Sequence, residues 1–195
     1  MIKVAVTDQI KINLNTLIQM GVCLHASSVS ISGKAILFLG HSTSGKSTIS
    51  RLLSERYRVI ADDKVWVHRL NKSKWLVHDA SDNYQIRKQE EHFIGRDEFQ
   101  LLAISRIFKS DSTRMVRLSS KELCKYLMDA IFEIDFQRKI EDINVKKKWF
   151  SLLAEMAKNV EGWGLTFTKD VSIIKKIHDI FEKDNKENAW NVRGI

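Results

Sequence analysis

At 195 residues the chain has the length of one domain that can bury a substantial core. Its 44% hydrophobic and 29% charged residues are the proportions of an ordinary folded protein. No stretch approaches the roughly 18 apolar residues needed to cross a bilayer, and the N-terminus, MIKVAVTDQIKINL, alternates where a signal peptide would be continuously apolar, so a cytoplasmic protein without a membrane partner is expected. The net charge of +8 is spread along the chain apart from short runs such as Lys146–Lys148, and no aromatic-and-glycine RNA-binding pattern accompanies it. A solvated basic surface is the expectation, and nucleic acid is not an expected partner.

Period-two alternation predicts a strand at residues 2–7 and another at Leu24–Ile31, with Gly33-Lys34 turning into the apolar strand Ala35–Leu39. Helical spacing of Ile49, Leu52 and Leu53 predicts a helix over Ser47–Arg56. Strands follow at Arg58–Ala61, Lys64–Leu70 and Trp75–His78, the last two flanking the polar turn NKSK. Gln100–Phe108 reads as a strand or a helix, and Thr113–Arg117 as a strand. Ser119-Ser120-Lys121-Glu122 is a capping-box pattern that opens a helix to about Phe132. An amphipathic helix over 145–158, a strand at Gly162–Thr168 and a helix at Asp170–Glu182 complete the chain before a polar tail. The fold class expected is therefore α/β (or α+β): a mixed sheet with helices packed on it, in one domain over residues 1–185, with 186–195 frayed. No proline, repeat or low-complexity segment marks a linker.

Cys23 and Cys124 are far apart without CxxC spacing and are read as buried, reduced thiols; neither they nor the six scattered histidines form a zinc-ligand pattern. Trp66, Trp75, Trp149 and Trp163 are read as packing residues.

The informative stretch is GHSTSGKST, residues 40–48, which leaves the strand AILFL and enters a helix. It satisfies G-x-x-x-x-G-K-[ST], the Walker A pattern, in the strand–loop–helix setting that gives the pattern meaning. Gly40, His41, Ser42, Thr43, Ser44, Gly45, Lys46, Ser47 and Thr48 are accordingly the expected nucleotide-binding residues. Their main-chain N–H groups curl around an anion at a helix N-terminus, Lys46 reaches the β- and γ-phosphates, and the Ser47 hydroxyl meets Mg²⁺. Asp62-Asp63 ends the next strand, where an acid faces the metal in phosphate-loop sheets. Two adjacent acids can divide the work, one holding Mg²⁺ and the other taking a proton from an attacking hydroxyl. A solvated turn is the plainer reading of the same pair. His25, in a run of apolar and small residues, is either a satisfied core histidine or, if its strand lies beside the one ending at Asp62-Asp63, a group that orients that carboxylate.

The stretch LHASSVSISGKAILFLGHSTSGKSTISRLLSERYRVIADDKV resembles the catalytic core of the HPr kinase/phosphorylase family and its shorter kinase-like relatives. The matching residues are His25, Gly40–Thr48 and Ala61-Asp62-Asp63. The resemblance implies the fold that the family shares with phosphoenolpyruvate carboxykinase, with ATP and Mg²⁺ as cofactors. It makes Asp63 the proton acceptor, Lys46 and Ser47 the phosphate and metal residues, and Asp62 a metal ligand. DNYQIRK at 82–88 is similar to a segment that brings an arginine, here Arg87, to the site. Glu90 and Glu91 are the nearest counterparts of a downstream metal-binding glutamate. The family's N-terminal domain and its glycine-rich signature have no counterpart here, so phosphorolysis and HPr as substrate are not implied. A homo-oligomer is.

The expected activity is transfer of the γ-phosphoryl group of ATP to a serine or threonine hydroxyl of a protein or peptide, since short members include kinases that tailor ribosomal peptides. Two alternatives stay open: a nucleotide-binding regulatory module without phosphotransfer, and small-molecule chemistry of the carboxykinase kind, against which the short length counts. For Arg87, Arg114 and Arg117, ordinary surface charge is the plain reading, although phosphoryl transfer needs cations beyond Lys46.

Overall fold

The computed structural model describes residues 21–80, 98–134, 137 and 139–182. The expected strand at 2–7, Arg87, Glu90, Glu91 and the tail from 186 lie outside these residues.

Among the described residues, eight strands form one mixed sheet flanked by four helices. In chain order they are β1 (Gly21–Ile31), β2 (Lys34–Leu39), α1 (Lys46–Leu53), β3 (Arg58–Ala61), β4 (Lys64–Arg69), β5 (Trp75–Asp79), β6 (Phe99–Lys109), β7 (Arg114–Arg117), α2 (Ser120–Phe132), α3 (Ile143–Asn159), β8 (Glu161–Phe167) and α4 (Ser172–Phe181). The β1–β2 hairpin turns through Ser32 and Gly33, both at positive φ, which matches the twist of the strands it joins. The first helix ends at Leu53, short of Arg56, because Ser54–Arg56 tighten into turns back onto Ser50 and Leu53. The ambiguous stretch near residue 100 is a strand. It pairs in parallel with β2 and β8 and so lies in the sheet interior, where the continuous apolar run buries on both faces.

The sheet runs β2-β1-β4-β5-β6-β8-β7, with β3 beside β1. Because β2 also pairs with β6, the path β2-β1-β4-β5-β6 closes into a ring. A register shift at Ala35/Ile36 inserts one residue into β6, so Leu101 and Ile104, rather than an even alternation, face one side while Ala103 and Ile107 face the other. One face packs Val22, Leu24, Leu37, Val67 and Trp75 against Leu123, Leu127, Trp149 and Leu153 of α2 and α3. The other packs Ile36 and Phe38 against Ile49 and Leu53 of α1 and Ile173 and Ile177 of α4. Helix α2 begins as its sequence directs: the Ser119 hydroxyl accepts from the Glu122 N–H while the Glu122 carboxylate accepts from the Ser119 N–H. Trp66, Trp75 and Trp149 are buried, as read from sequence, whereas Trp163 is half-buried under the Arg117 guanidinium, 4.0 Å from its ring centre. Among the described residues no helix is long and apolar enough to cross a membrane.

One side chain finishes β1. Among the described residues its first residues pair with β4 on one edge only, and on the other the buried Gln137 amide takes the place of a strand. Gln137 Oε1 accepts from the Cys23 N–H (3.2 Å), and Nε2 donates to the Cys23 carbonyl (2.8 Å) and to the Ile131 carbonyl (3.0 Å). Gln137→Ala strands these buried main-chain groups, so the expected loss is about 1–3 kcal/mol, read as a lower denaturant midpoint with an unchanged slope.

Both cysteines are free thiols, but only Cys23 is fully buried; Cys124 is half-buried on α2, which corrects the sequence reading. Burial, with a smaller push from Asp63 against the pull of Lys64, raises the Cys23 thiol to about 12, and burial alone raises Cys124. The thiolate is the reactive form. Iodoacetamide at pH 8 should therefore leave Cys23 unmodified in the folded protein, label Cys124 slowly, and label both after denaturation, as mass spectrometry of the peptides will show.

Candidate functional site

Strand β2 runs out at Leu39, and the chain curls through residues 40–45 before α1 starts at Lys46. Two glycines permit the curl. A Cβ on Gly40 would stand 2.1 Å from Ser44 Oγ, so the loop folds onto its own start. Gly45 sits at φ 110°, a left-handed conformation closed to most side chains, with Phe167 below it. The Ser44 N–H closes the curl on the His41 carbonyl, 3.0 Å away. The first intrahelical bond is Ile49 N–H to the Gly45 carbonyl, so the first-turn amides before it have no intrahelical partner.

Lys46 lies inside this curl. Its side chain is buried and its Nζ donates to the carbonyls of Gly40 (2.6 Å) and His41 (3.1 Å). Burial pushes the ammonium below the ordinary lysine range; Glu133, Asp63 and Asp62 oppose that and Arg106 adds to it. The helix is moored from beneath by the Ser27 hydroxyl of β1, which donates to the Lys46 carbonyl.

A cleft of about 330 Å³ opens beside the loop, lined by His25, Ser42, Thr43, Gly45, Lys46, Ser47, Thr48, Asp62 and Asp63. Three separate elements supply them: β1, the loop with α1, and the β3–β4 turn. The register explains the meeting. Strand β1 pairs with β3 at Ser28↔Ala61 and with β4 at His25↔Lys64, so Asp62 and Asp63 turn across His25. His25 Nε2 is 3.3 Å from Asp63 Oδ1. The sequence condition on His25, that its strand lie beside the one ending in the acids, is met.

Of the other sequence-named residues, Gly40 shapes the loop and accepts from Lys46. The Ser44 hydroxyl is buried without a hydrogen-bond partner among the described residues. His41 is not among the residues lining the cleft, and its Nδ1 is 2.7 Å from Glu133 Oε1. Arg117 lies at β7, bonded to Glu161 (2.8 Å), and Arg114 shares that strand.

Two residues near the site had gone unread. Glu133, at the end of α2, puts Oε2 2.5 Å from His25 Nδ1 and Oε1 2.7 Å from His41 Nδ1. Asp63, His25, Glu133 and His41 thus form one chain of side chains. Arg106 is buried on β6 opposite Leu39, the residue that leads into the loop, and packs over the Tyr126 ring at 5.1 Å. No local signal marks either residue: the Glu133–His41 contact spans 92 positions, and Arg106 is an ordinary arginine in a strand until the parallel pairing with β2 is known.

The donor set fits a phosphorylated ligand with a hard cation. A buried ammonium at the N-terminus of α1 suits phosphate oxygens, and Ser47, Asp62 and Asp63, which line the same cleft, offer the oxygen donors Mg²⁺ prefers.

A family model described as "ScmC: SynChlorMet cassette protein ScmC" matches residues 2–182. The chain belongs to this family. No curated protein matches the sequence. Among solved structures, the chain is similar to the Hpr(Ser) kinase/phosphatase from Coxiella burnetii at 11% identity and a TM-score of 0.45, over 86% of this chain and 98% of that one.

Proposed function

We propose that this ScmC-family chain is an ATP-dependent kinase of the HPr kinase-like kind that moves the γ-phosphoryl group to a serine or threonine hydroxyl of a protein or peptide. The observation that carries the reading is the meeting of Lys46 and Asp63 in one cleft, with His25 bridging Asp63 to Glu133. The Walker A pattern in its strand–loop–helix setting supports the same reading.

In this mechanism residues 40–48 act as a phosphate-binding loop. Lys46 exchanges the carbonyls of Gly40 and His41 for the β- and γ-phosphate oxygens, and the first-turn amides of α1 donate to the same oxygens. Ser47 and Asp62 would hold Mg²⁺, which when bound would neutralise phosphate charge. Asp63 accepts the proton as the substrate hydroxyl oxygen bonds to the γ-phosphorus and the bond to the β–γ bridging oxygen breaks. His25 holds the Asp63 carboxylate in place, and Glu133 fixes the imidazole from its far side. Arg106 adds a buried positive charge beneath the loop.

The test is incubation of the full chain with Mg-ATP or Mg-GTP and the proteins and peptides encoded beside it, followed by mass spectrometry. A gain of one phosphate on an identified serine or threonine supports the kinase. Hydrolysis with no acceptor modified points instead to a nucleotide-binding module.

A further inference from the structure

At the far end of β4 from Asp63, three potential metal ligands face one another. His68 ends the part of β4 that pairs with β1, His78 lies on β5 two positions from Leu76, the partner of His68, and Glu98 immediately precedes β6. His68 Nε2 is 3.5 Å and His78 Nδ1 4.0 Å from the same Glu98 oxygen, and the three ligand atoms all lie within 4.8 Å of one another. The distances to Glu98 exceed the 2.7–3.2 Å of a good hydrogen bond. They approach the spacing of about 3.4 Å between neighbouring ligands of a tetrahedral ion with bonds near 2.1 Å. Small side-chain adjustments bring the three atoms onto one centre.

The cluster is separate from the nucleotide cleft. His25 pairs with Lys64 at one end of the β1–β4 ladder and Gly21 with His68 at the other, about 13 Å away at the usual rise of a strand. Its chemistry also differs: two imidazoles and one carboxylate suit Zn²⁺ and its first-row neighbours, whereas Mg²⁺ prefers oxygen. The three residues follow no zinc-finger spacing in the sequence; pairing of β4 with β5 brings the two histidines together, and Glu98 meets them from the residue before β6.

We propose that His68, His78 and Glu98 bind one divalent transition-metal ion of the zinc class, which staples the β5–β6 join. Among the described residues that join has the fewest register pairs in the ring of strands. It rests on Leu76↔Gln100 and Val77↔Phe99, against five register pairs between β4 and β5 and six between β1 and β2. His78 is deeply buried, while the His68 and Glu98 side chains are 20% and 30% exposed, so an ion can enter from solvent and keep a fourth position for water. A metal held by β4, β5 and the residue entering β6 adds coordinate bonds where the described register pairs are fewest.

The test uses the full chain without a polyhistidine tag, stripped with chelator and titrated with Co²⁺ in the absence of nucleotide. The expected result is one equivalent bound with visible ligand-field absorption, displaced by Zn²⁺, and a melting midpoint about 5 °C or more higher with saturating Zn²⁺. Glu98→Gln and His68→Gln should each weaken Co²⁺ binding by at least about tenfold, and Asp63→Asn should leave it unchanged. Glu98→Gln alters a partly exposed side chain and decides the matter if the histidine variant does not fold. No saturable binding, binding that Glu98→Gln leaves intact, or binding that Asp63→Asn abolishes would each overturn the proposal, leaving a histidine–carboxylate cluster without metal or a site at the loop.

Discussion

Lys46→Ala is expected to lower phosphoryl transfer by about 100- to 1,000-fold, the usual effect of removing one preorganised group that stabilises transition-state charge. The magnitude follows from where the ammonium lies. It is buried and held by the two loop carbonyls of Gly40 and His41. Both nucleotide affinity and turnover should fall, because in the proposed mechanism the same charge meets the phosphates in the ground state and in the transition state. Folding should survive: the substitution removes a buried charge whose desolvation already pushes its pKa down, while the apolar anchors of α1, Ile49 and Leu53, are untouched. Single-turnover transfer from labelled ATP, with a thermal melt of the same sample, separates lost chemistry from lost structure. A variant that melts normally and transfers phosphate at the wild-type rate would remove Lys46 from the mechanism.

Asp63→Asn should leave nucleotide binding within a fewfold of wild type and lower transfer by about 100- to 10,000-fold, the range for losing a general base. The asparagine keeps the shape of the β3–β4 turn and a polar contact toward His25 Nε2, but it offers no basic oxygen to an incoming hydroxyl. Asp62→Asn is the informative partner. As a metal ligand in the proposed mechanism, it should raise the Mg²⁺ concentration needed for half-maximal rate, a change that excess Mg²⁺ repairs. The split between the two variants, one insensitive to added Mg²⁺ and one rescued by it, distinguishes the roles of adjacent carboxylates. Rescue of Asp63→Asn by Mg²⁺ would reverse the assignment.

The parts of this molecule legible in the sequence are those written in contiguous residues. The loop at 40–48 has its glycines, lysine and hydroxyls in a row, and the β1–β2 hairpin and the Ser119 capping box are equally local, so their chemistry and geometry are set within a few positions. The meeting of His25 with Asp63 was readable only as a condition on strand pairing, and the antiparallel register of β1 with β3 and β4 supplies it. Glu133 and Arg106 carry no local mark. The first reaches His25 from the end of a helix more than a hundred positions later, and the second arrives through parallel pairing of β6 with β2. His68, His78 and Glu98 likewise become a cluster only when β4 and β5 align beside the start of β6. Long-range register, rather than composition or periodicity, is what the sequence did not disclose.

The central claim is that the curl of amides around Lys46 binds a nucleoside triphosphate. Calorimetric titration of the full chain with ATP and with GTP in the presence of Mg²⁺ tests it most directly. The account predicts saturable one-to-one binding of at least one of the two, strongly weakened in Lys46→Ala. A folded wild-type protein that takes up neither nucleotide would contradict it.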